Sequence, residues 1–186
     1  DYTLSSTNIT ISAGATTGTA TVSVVGDQID ENNETVVLNI TGVSGGEGAV
    51  ESGTQAQTIT ITDDDTAGFT VSESSGTSVS EAGSTDTFTV VLNSKPTGNV
   101  VFNVTSGDTG EATVSPSTLT FTTGSWNSAQ TVTVTGINDD IDDGNVNSTT
   151  TVAINTGSTA DSIYDTVSSQ AVTVTTTDND LSLIHI

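Results

Sequence analysis

Short runs in which apolar residues alternate with threonine or serine recur along the chain. The clearest runs are Thr19–Val25, Glu34–Thr41, Thr58–Thr62, Thr87–Leu92 and Thr131–Thr135. A period of two residues separates side chains onto opposite faces of a strand, so these runs predict strands with one face in a core. Threonine and valine favour strands further because their side chains are stiff at χ1. No comparable stretch combines helical periodicity with good helix formers, so the pattern predicts an all-β protein.

Turn-forming residues separate the predicted strands at short intervals. Gly42–Gly46, Ser106–Gly110 and Thr156–Ser158 are rich in glycine, serine and aspartate. Frequent short strands that are punctuated in this way are typical of a β-sandwich. The pattern therefore predicts antiparallel sheets that pack face to face.

The chain contains an internal repeat. Residues 55–65 resemble residues 170–180, and the acidic loop at 26–34 has a counterpart at 136–144. Asp63 and Asp178 are 115 residues apart, and Asp27 and Asp139 are 112 apart. The two offsets predict a complete repeat at 66–180 and the latter part of another at 1–65. We expect the first copy to be marginally stable, because it lacks its opening strands and leaves sheet edges unpaired.

The last six residues, 181–186, are mostly apolar and contain the only histidine, His185. This composition contrasts with the rest of the chain. Two interpretations stay open: the segment is artefactual sequence, or it is the first strand of a third copy.

The net charge of the chain limits the classes of molecule that it can bind. The chain has 23 acidic residues and one basic residue, Lys95, which gives a formal net charge of -22. Such a surface repels nucleic acid and anionic lipid, so we expect neither as a partner. Cysteine is absent, which excludes disulfides and thiolate metal sites. No run reaches the roughly 20 apolar residues that cross a bilayer, so we expect no direct membrane insertion.

Many of the carboxylates fall into three clusters, at 27–34, 63–65 and 139–143. A solvated turn explains any one cluster. Each copy, however, pairs an acidic loop with an acidic terminus at a similar separation, 36 residues from Asp27 to Asp63 and 39 from Asp139 to Asp178. Calcium takes about 6 to 8 oxygen ligands in irregular geometry, whereas magnesium demands a near-ideal octahedron and zinc favours cysteine or histidine. The clusters therefore predict calcium binding.

Several motifs together resemble the Calx-beta domain family. They are Asp1-Tyr2, the loop 27–34 leading into Thr35–Leu38, Asp63–Gly68, Val79–Gly83 and Ser106–Asp108. The resemblance implies an all-β fold of immunoglobulin-like antiparallel β-sandwich repeats in tandem. It also implies calcium at the end of each sandwich, where one copy joins its successor.

The resemblance implies one set of ligands in each copy. In the first copy the set is Asp27, the carbonyl of Ile29, Glu31, Glu34, Asp63, Asp64 and Asp65. In the second it is Glu81, Asp108, Asp139, Asp140, the carbonyl of Ile141, Asp143, Asp178 and Asp180. The second copy has no glutamate that matches Glu34, and Asn179 replaces an aspartate. We therefore expect it to bind fewer ions or to bind them more weakly.

Taken together, these features predict a calcium-binding structural repeat of a secreted or cell-surface protein. Inter-repeat Ca2+ sites would make an adhesin-like stalk rigid, with neighbouring repeats of the same chain as partners. The alternative is a calcium-sensing regulatory module attached to a membrane transporter, and ligand recognition by the sandwich itself is a third interpretation. We expect no enzymatic activity, because cysteine is absent and the only histidine lies in the last six residues.

Overall fold

The computed structural model describes residues 2–53, 55–73 and 76–181. Asp1 and all of the predicted tail except Leu181 lie outside these ranges. The chain divides into two units, which we call unit 1 (Asp1–Asp65) and unit 2 (Thr66–Ile186). Within the described ranges, no helix has the length and apolar character needed to cross a membrane.

The described part of unit 1 contains four strands in two small antiparallel sheets. They are β1 (Tyr2–Leu4), β2 (Val22–Val24), β3 (Glu34–Ile40) and β4 (Gln55–Ile61), with β1 paired to β2 and β3 paired to β4. Val36 is the one buried apolar side chain in the described part of this unit. The strand predicted at 19–25 is limited to β2, the three residues that pair with the three residues of β1.

Nine strands lie in the described residues of unit 2. They are β5 (Phe69–Glu73), β6 (Thr77–Ser80), β7 (Thr85–Leu92), β8 (Val100–Ser106), β9 (Ala112–Ser115), β10 (Thr118–Phe121), β11 (Gln130–Gly136), β12 (Val146–Ile154) and β13 (Gln170–Thr177), with one 3₁₀ turn at Tyr164–Thr166. One sheet has the order β10-β8-β12-β13-β6 and the other β5-β7-β11-β9. All neighbours are antiparallel except β6 and β13, which run parallel.

The two sheets of unit 2 enclose one core. Phe88 and Val132 of the four-stranded sheet are buried with Phe102 and Val172 of the five-stranded sheet in a single apolar cluster. Phe102 also packs edge-on against Phe121, with 5.8 Å between ring centroids. Alternate residues of each strand supply this core, as the period-two pattern requires. The predicted all-β sandwich is confirmed.

Candidate metal centre

Parallel pairing of β6 and β13 brings three carboxylates together at one end of unit 2. Glu81 directly follows β6, and its N–H donates to the Thr177 carbonyl at 3.1 Å. Asp178 and Asp180 follow β13, and parallel strands end at the same edge of a sheet. One carboxylate oxygen each of Glu81, Asp178 and Asp180 lies within 4.8 Å of the other two. We call these residues group A.

A second group of three carboxylates shares Glu81 with group A. Glu111 lies directly before β9, where its carbonyl accepts the Ile137 N–H at 2.8 Å. One oxygen each of Glu81, Glu111 and Asp143 lies within 4.8 Å of the other two, and we call these residues group B. Glu81 belongs to both groups, so the carboxylates form one continuous acidic centre.

Both glutamates of group B are almost completely enclosed. Glu81 is 2% exposed and Glu111 is 7% exposed. The Asn179 N–H donates to Glu81 Oε2 at 3.2 Å, but Glu111 Oε2 and Asp180 Oδ2 are buried and have no hydrogen-bond partner among the described residues. A buried carboxylate that lacks a donor loses hydration without compensation. The centre therefore has electron-rich oxygens that a cation would satisfy.

Asp178 organises the acidic loop at 137–145. Its Oδ2 accepts the Gly144 N–H at 2.8 Å, and its Oδ1 accepts the Asp180 N–H at 2.7 Å. The Asp178 N–H donates in turn to Asn145 Oδ1 at 3.2 Å. Gly144 has φ +73°, a left-handed conformation that glycine adopts without steric cost. These bonds hold the loop against the end of β13.

Burial, together with repulsion between the carboxylates, raises the pKa values of Glu81, Glu111 and Asp180. Burial, followed by the charges of Asp143 and Asp108, raises the pKa of Glu111. Although the Asn179 N–H favours the ionised form of Glu81, burial and Asp178 raise the pKa of that residue. Burial and Asp178 likewise raise the pKa of Asp180.

Asp178 is the exception among these carboxylates. The N–H groups of Asp180 and Gly144 lower its pKa because they favour the charged form. Asp178 is therefore stabilised as an anion by two backbone donors, whereas Glu111 Oε2 and Asp180 Oδ2 have no donor in the described part of the chain.

Four of the residues predicted for unit 2 belong to groups A and B, namely Glu81, Asp143, Asp178 and Asp180. Asp139 and Asp140 lie close enough to Asp180 to raise its pKa. The Ile141 side chain is exposed, and its carbonyl, the predicted ligand atom, accepts the Asp143 N–H at 2.9 Å.

Asp108 takes another position. Its side chain is exposed, and Oδ1 accepts the Gly110 N–H at 3.0 Å, which stabilises the turn before β9. Asp108 belongs to neither group, and Glu111 points to the centre in its place. Glu111 is the functional candidate that the sequence reasoning missed.

A signal for Glu111 was present in the repeat. Ile9-Thr-Ile11 matches Leu119-Thr-Phe121 at an offset of 110 residues. The same offset pairs Asp1, the acid of the Asp1-Tyr2 motif, with Glu111. An alignment of the segments before the acidic loops would therefore have identified Glu111.

Unit 1 contains a related but more open cluster. One carboxylate oxygen each of Asp63, Asp64 and Asp65 lies within 4.8 Å of the other two. Asp63 Oδ2 accepts the Glu31 N–H at 3.1 Å, and the Asp63 N–H donates to Asn33 Oδ1 at 2.9 Å. These bonds correspond to those around Asp178 in unit 2.

The predicted ligands of unit 1 surround a small cavity of about 50 Å³. Its lining includes Asp27, Glu31, Glu34, Asp63, Asp64 and Asp65. Asp27 Oδ1 accepts the Ile29 N–H at 2.9 Å, so the backbone of Ile29 lies at the same loop. The structure therefore gathers the predicted residues of unit 1 at one end, although their carboxylates are more exposed than those of Glu81 and Glu111.

The donor set of both clusters is composed of oxygen. Such donors suit a hard divalent cation, and the single basic side chain of the protein cannot neutralise several carboxylates. The buried, unpartnered oxygens of Glu111 and Asp180 fit the same requirement. The arrangement is chemically suited to hold metal ions.

Sequence comparison identifies a family for nearly the whole chain. A profile of the Calx-beta domain matches residues 1–65 and again residues 63–180. The two matches correspond to the two copies of the internal repeat. A comparison with curated protein sequences returned no match.

Three solved structures of different kinds are similar to part or most of this chain. The apo-form Calx CBD1 domain is 15% identical over 60% of this chain and 98% of its own, with a TM-score of 0.40. S-layer protein SbsC domains 4 and 5 are 22% identical over 96% and 97%, with a TM-score of 0.38. A Bacteroides ovatus xyloglucanase is 12% identical over 60% of this chain, which spans 19% of that protein, with a TM-score of 0.41. At these TM-scores the similarities carry no argument about function.

Proposed function

The chain belongs to the Calx-beta domain family, and from this premise we propose that it is a calcium-binding structural repeat of a secreted or cell-surface protein. The observation that carries the proposal is the pair of enclosed glutamates, Glu81 and Glu111, beside Asp143, Asp178 and Asp180. Enclosed carboxylates without a basic partner are costly unless a cation neutralises them. Calcium supplies that positive charge and accepts many oxygen ligands.

In unit 2 we assign the ligands to groups A and B. Glu81, which belongs to both groups, would bridge two ions or contribute both oxygens to one. Asp139, Asp140 and the Ile141 carbonyl are additional candidates on the acidic loop. Glu111 replaces Asp108 in this assignment, because only Glu111 has an oxygen within the centre.

In unit 1 we assign the ligands to Asp63, Asp64, Asp65 and the loop residues Asp27, the Ile29 carbonyl, Glu31 and Glu34. Burial and the charge of Asp27 raise the pKa of Glu31, as expected where carboxylates gather without a counterion. Bound calcium would remove this repulsion and tie the 27–34 loop to the end of β4.

The biological role that we propose is mechanical. Asp63–Asp65 directly precede Thr66, where unit 2 begins in the sequence. An ion held there would restrict the backbone that connects the units, so that a series of such repeats would form a stiff, adhesin-like stalk. Millimolar extracellular calcium saturates sites with dissociation constants of about 10⁻⁴ M, the range of extracellular modules.

Isothermal titration calorimetry of the full chain tests this function. We expect calcium to bind with a dissociation constant of about 10⁻⁴ to 10⁻³ M, as in extracellular modules. Glu81→Gln should remove the heat of binding to unit 2, because it neutralises the residue that groups A and B share, and should leave the heat of binding to unit 1. Asp165→Asn, at an exposed position of the 3₁₀ turn, is the matched control and should titrate like the parent.

Two results of this titration would change the proposed function. Absence of binding at millimolar calcium in the parent would contradict the proposed function. A dissociation constant of about 10⁻⁷ to 10⁻⁵ M, the range of calcium sensors, would favour the regulatory module over the stalk.

A further inference from the structure

The two enclosed glutamates of unit 2 come from different sheets. Glu81 follows β6 of the five-stranded sheet, and its N–H donates to the carbonyl of Thr177 on the neighbouring strand β13. Glu111 precedes β9 of the four-stranded sheet, and its carbonyl accepts the Ile137 N–H at the end of β11. The separation of the sheets at this end therefore sets the distance between Glu81 and Glu111.

A glycine lies where the two sheets approach each other. Gly136 is the last residue of β11, and a Cβ built on it would lie 2.8 Å from the carbonyl carbon of Ser80 and closer still to the carbonyl oxygen. Ser80 is the last residue of β6 and directly precedes Glu81. Gly136 has the extended backbone of a strand, which any residue can adopt, so the lack of space requires glycine here and the backbone conformation does not.

Hydrogen bonds fix both sides of this contact. The Ser80 N–H donates to Ser84 Oγ at 2.8 Å, and the Ser80 carbonyl accepts the Gly83 N–H at 3.0 Å. On the other side, the Gly136 N–H donates to the Ser84 carbonyl at 3.0 Å, and Gly136 pairs with Ala112 of β9. A methyl group on Gly136 would therefore push the sheets apart at this end, because neither backbone segment can move alone without breaking these bonds.

We propose that Gly136 is a positioning residue of the acidic centre: the close approach of its backbone to Ser80 holds Glu111 near Glu81 and so assembles group B. Its place in the fold suits this role, because Ser80 directly precedes Glu81, and Ala112, the partner of Gly136 in β9, directly follows Glu111. The effect on calcium rests on the proposed function, whereas the spacing of the sheets does not.

Group B is more sensitive to this spacing than group A. Asp178 and Asp180 follow β13, which belongs to the same sheet as β6, so a shift of that sheet carries them together with Glu81. Ordinary contacts of a Cβ lie at 3.4–4 Å, so Gly136→Ala would move the neighbouring backbone away by about 1 Å. Calcium accepts oxygens within about 2.3–2.6 Å, a range narrower than this displacement. Glu111 would then no longer reach an ion that Glu81 also binds.

Calcium titration of the full chain, followed by the side-chain carboxyl ¹³C resonances at pH 7, compares Gly136→Ala with the parent. We expect Glu111 in the variant to need about tenfold more calcium, or higher, for the same shift, as changes to groups that support metal ligands do. Asp178 and Asp180 should respond as in the parent, because they stay with Glu81. A fold that is merely less stable would not separate the response of Glu111 from that of these aspartates.

Gly98→Ala is the matched control. A Cβ on Gly98 would lie 2.9 Å from the Ala160 carbonyl oxygen, so this substitution also disturbs a close backbone approach. Gly98 lies between β7 and β8, at the end of β7 opposite to the 80–84 turn. We expect Gly98→Ala to lower the melting temperature of unit 2 and to leave the calcium response of Glu111 unchanged.

A measurement in a chelator tests the spacing of the sheets without calcium. Thr176 Oγ1, on β13, donates to the Glu111 carbonyl at 3.5 Å, so these two residues report the gap between the sheets. We expect nuclear Overhauser effects between Thr176 and Glu111 in the parent and in Gly98→Ala, and their loss in Gly136→Ala. The effects between Ser80 and Thr177, which pair within one sheet, should remain in all three proteins.

Three results would overturn the positioning role of Gly136. They are a calcium response of Glu111 that Gly136→Ala leaves unchanged, Overhauser effects between Thr176 and Glu111 that it leaves intact, and a loss of response at Asp178 and Asp180 as large as that at Glu111. Unchanged carboxyl resonances of the parent at millimolar calcium would refute the proposed function instead. The measurement in the chelator would then still decide whether Gly136 sets the spacing.

Discussion

Units 1 and 2 build the same hydrogen-bonded turn but surround it differently. In both, the carboxylate that follows the last strand accepts an N–H from the acidic loop: Asp63 from Glu31 and Asp178 from Gly144. Among the described residues, only unit 2 adds enclosed glutamates: Glu81 follows β6 and Glu111 precedes β9. The turn is a local property of short sequences, whereas the enclosure of these carboxylates depends on strands that are distant in sequence.

This difference separates two requirements for a calcium site. The local turn positions several carboxylates, but their repulsion is screened by solvent in unit 1. In unit 2, burial makes the same repulsion stronger, because charges interact more strongly where water is excluded. Burial of Glu81 and Glu111 therefore determines how strongly the acidic end of unit 2 requires a cation.

The largest expected difference between the units is in the core. Phe121→Ala removes a buried ring from unit 2 and should lower its free energy of unfolding by about 3 to 5 kcal/mol. Ile11→Ala changes the matched but half-exposed position of unit 1 and should cost less than about 0.5 kcal/mol. Urea unfolding of both variants measures the contrast. Equal losses would show that Ile11 is buried in solution.

The next effect distinguishes Glu111 from Asp108. Glu111→Gln should weaken calcium binding by about tenfold or more, because changes even to groups that support metal ligands have effects of this size. Asp108→Asn keeps an Oδ1 acceptor for the Gly110 N–H and should leave the affinity nearly unchanged. Calorimetric titration of both variants makes the comparison. A larger loss of calcium affinity in Asp108→Asn than in Glu111→Gln would show that Asp108 is the ligand and Glu111 is not.

The smallest effect concerns pH in the absence of calcium. Glu31, Asp65, Glu81, Glu111 and Asp180 have raised pKa values, whereas Asp178 has a lowered one. Groups with raised values bind protons more tightly in the folded state, so the free energy of unfolding falls as pH rises. Their stabilising contribution is complete below the ordinary values of 3.8 for aspartate and 4.5 for glutamate, and it is lost as pH rises through the raised values.

Thermal unfolding in a chelator should therefore give a higher melting temperature at pH 5 than at pH 7. Saturating calcium should reduce or reverse the difference, because the ion replaces the protons. Glu111→Gln should also reduce it, while Asp165→Asn should not. A melting temperature that rises from pH 5 to pH 7 in the chelator would show that these carboxylates are not under repulsion.

The sequence alone predicts much of the fold. The strands predicted at 34–41, 87–92 and 131–135 correspond closely to β3, β7 and β11, because their alternation reflects one buried face. The parallel pairing of β6 with β13 was not foreseen. It joins strands about a hundred residues apart, and period-two alternation has no information about the direction of a neighbour.

The site was predictable to the extent that it is local. Within each of the clusters at 63–65 and 139–143 the carboxylates are close together in sequence, so counting acidic residues along the chain identifies both clusters. Glu111 is a single acid beside Gly110, and only the pairing of β9 with β11 brings it into the centre. The burial of Glu111 depends on tertiary structure, which the composition of the sequence and the spacing of its residues do not reveal.

The central claim is that the enclosed glutamates of unit 2 bind calcium. The most direct measurement follows the side-chain carboxyl ¹³C resonances of Glu81 and Glu111 by NMR during a calcium titration at pH 7. Asp161 is the buried control, because its carboxylate already accepts the N–H groups of Thr97 and Ile163. We predict saturable shifts for Glu81 and Glu111 and none for Asp161. Unchanged glutamate resonances at millimolar calcium would contradict the account.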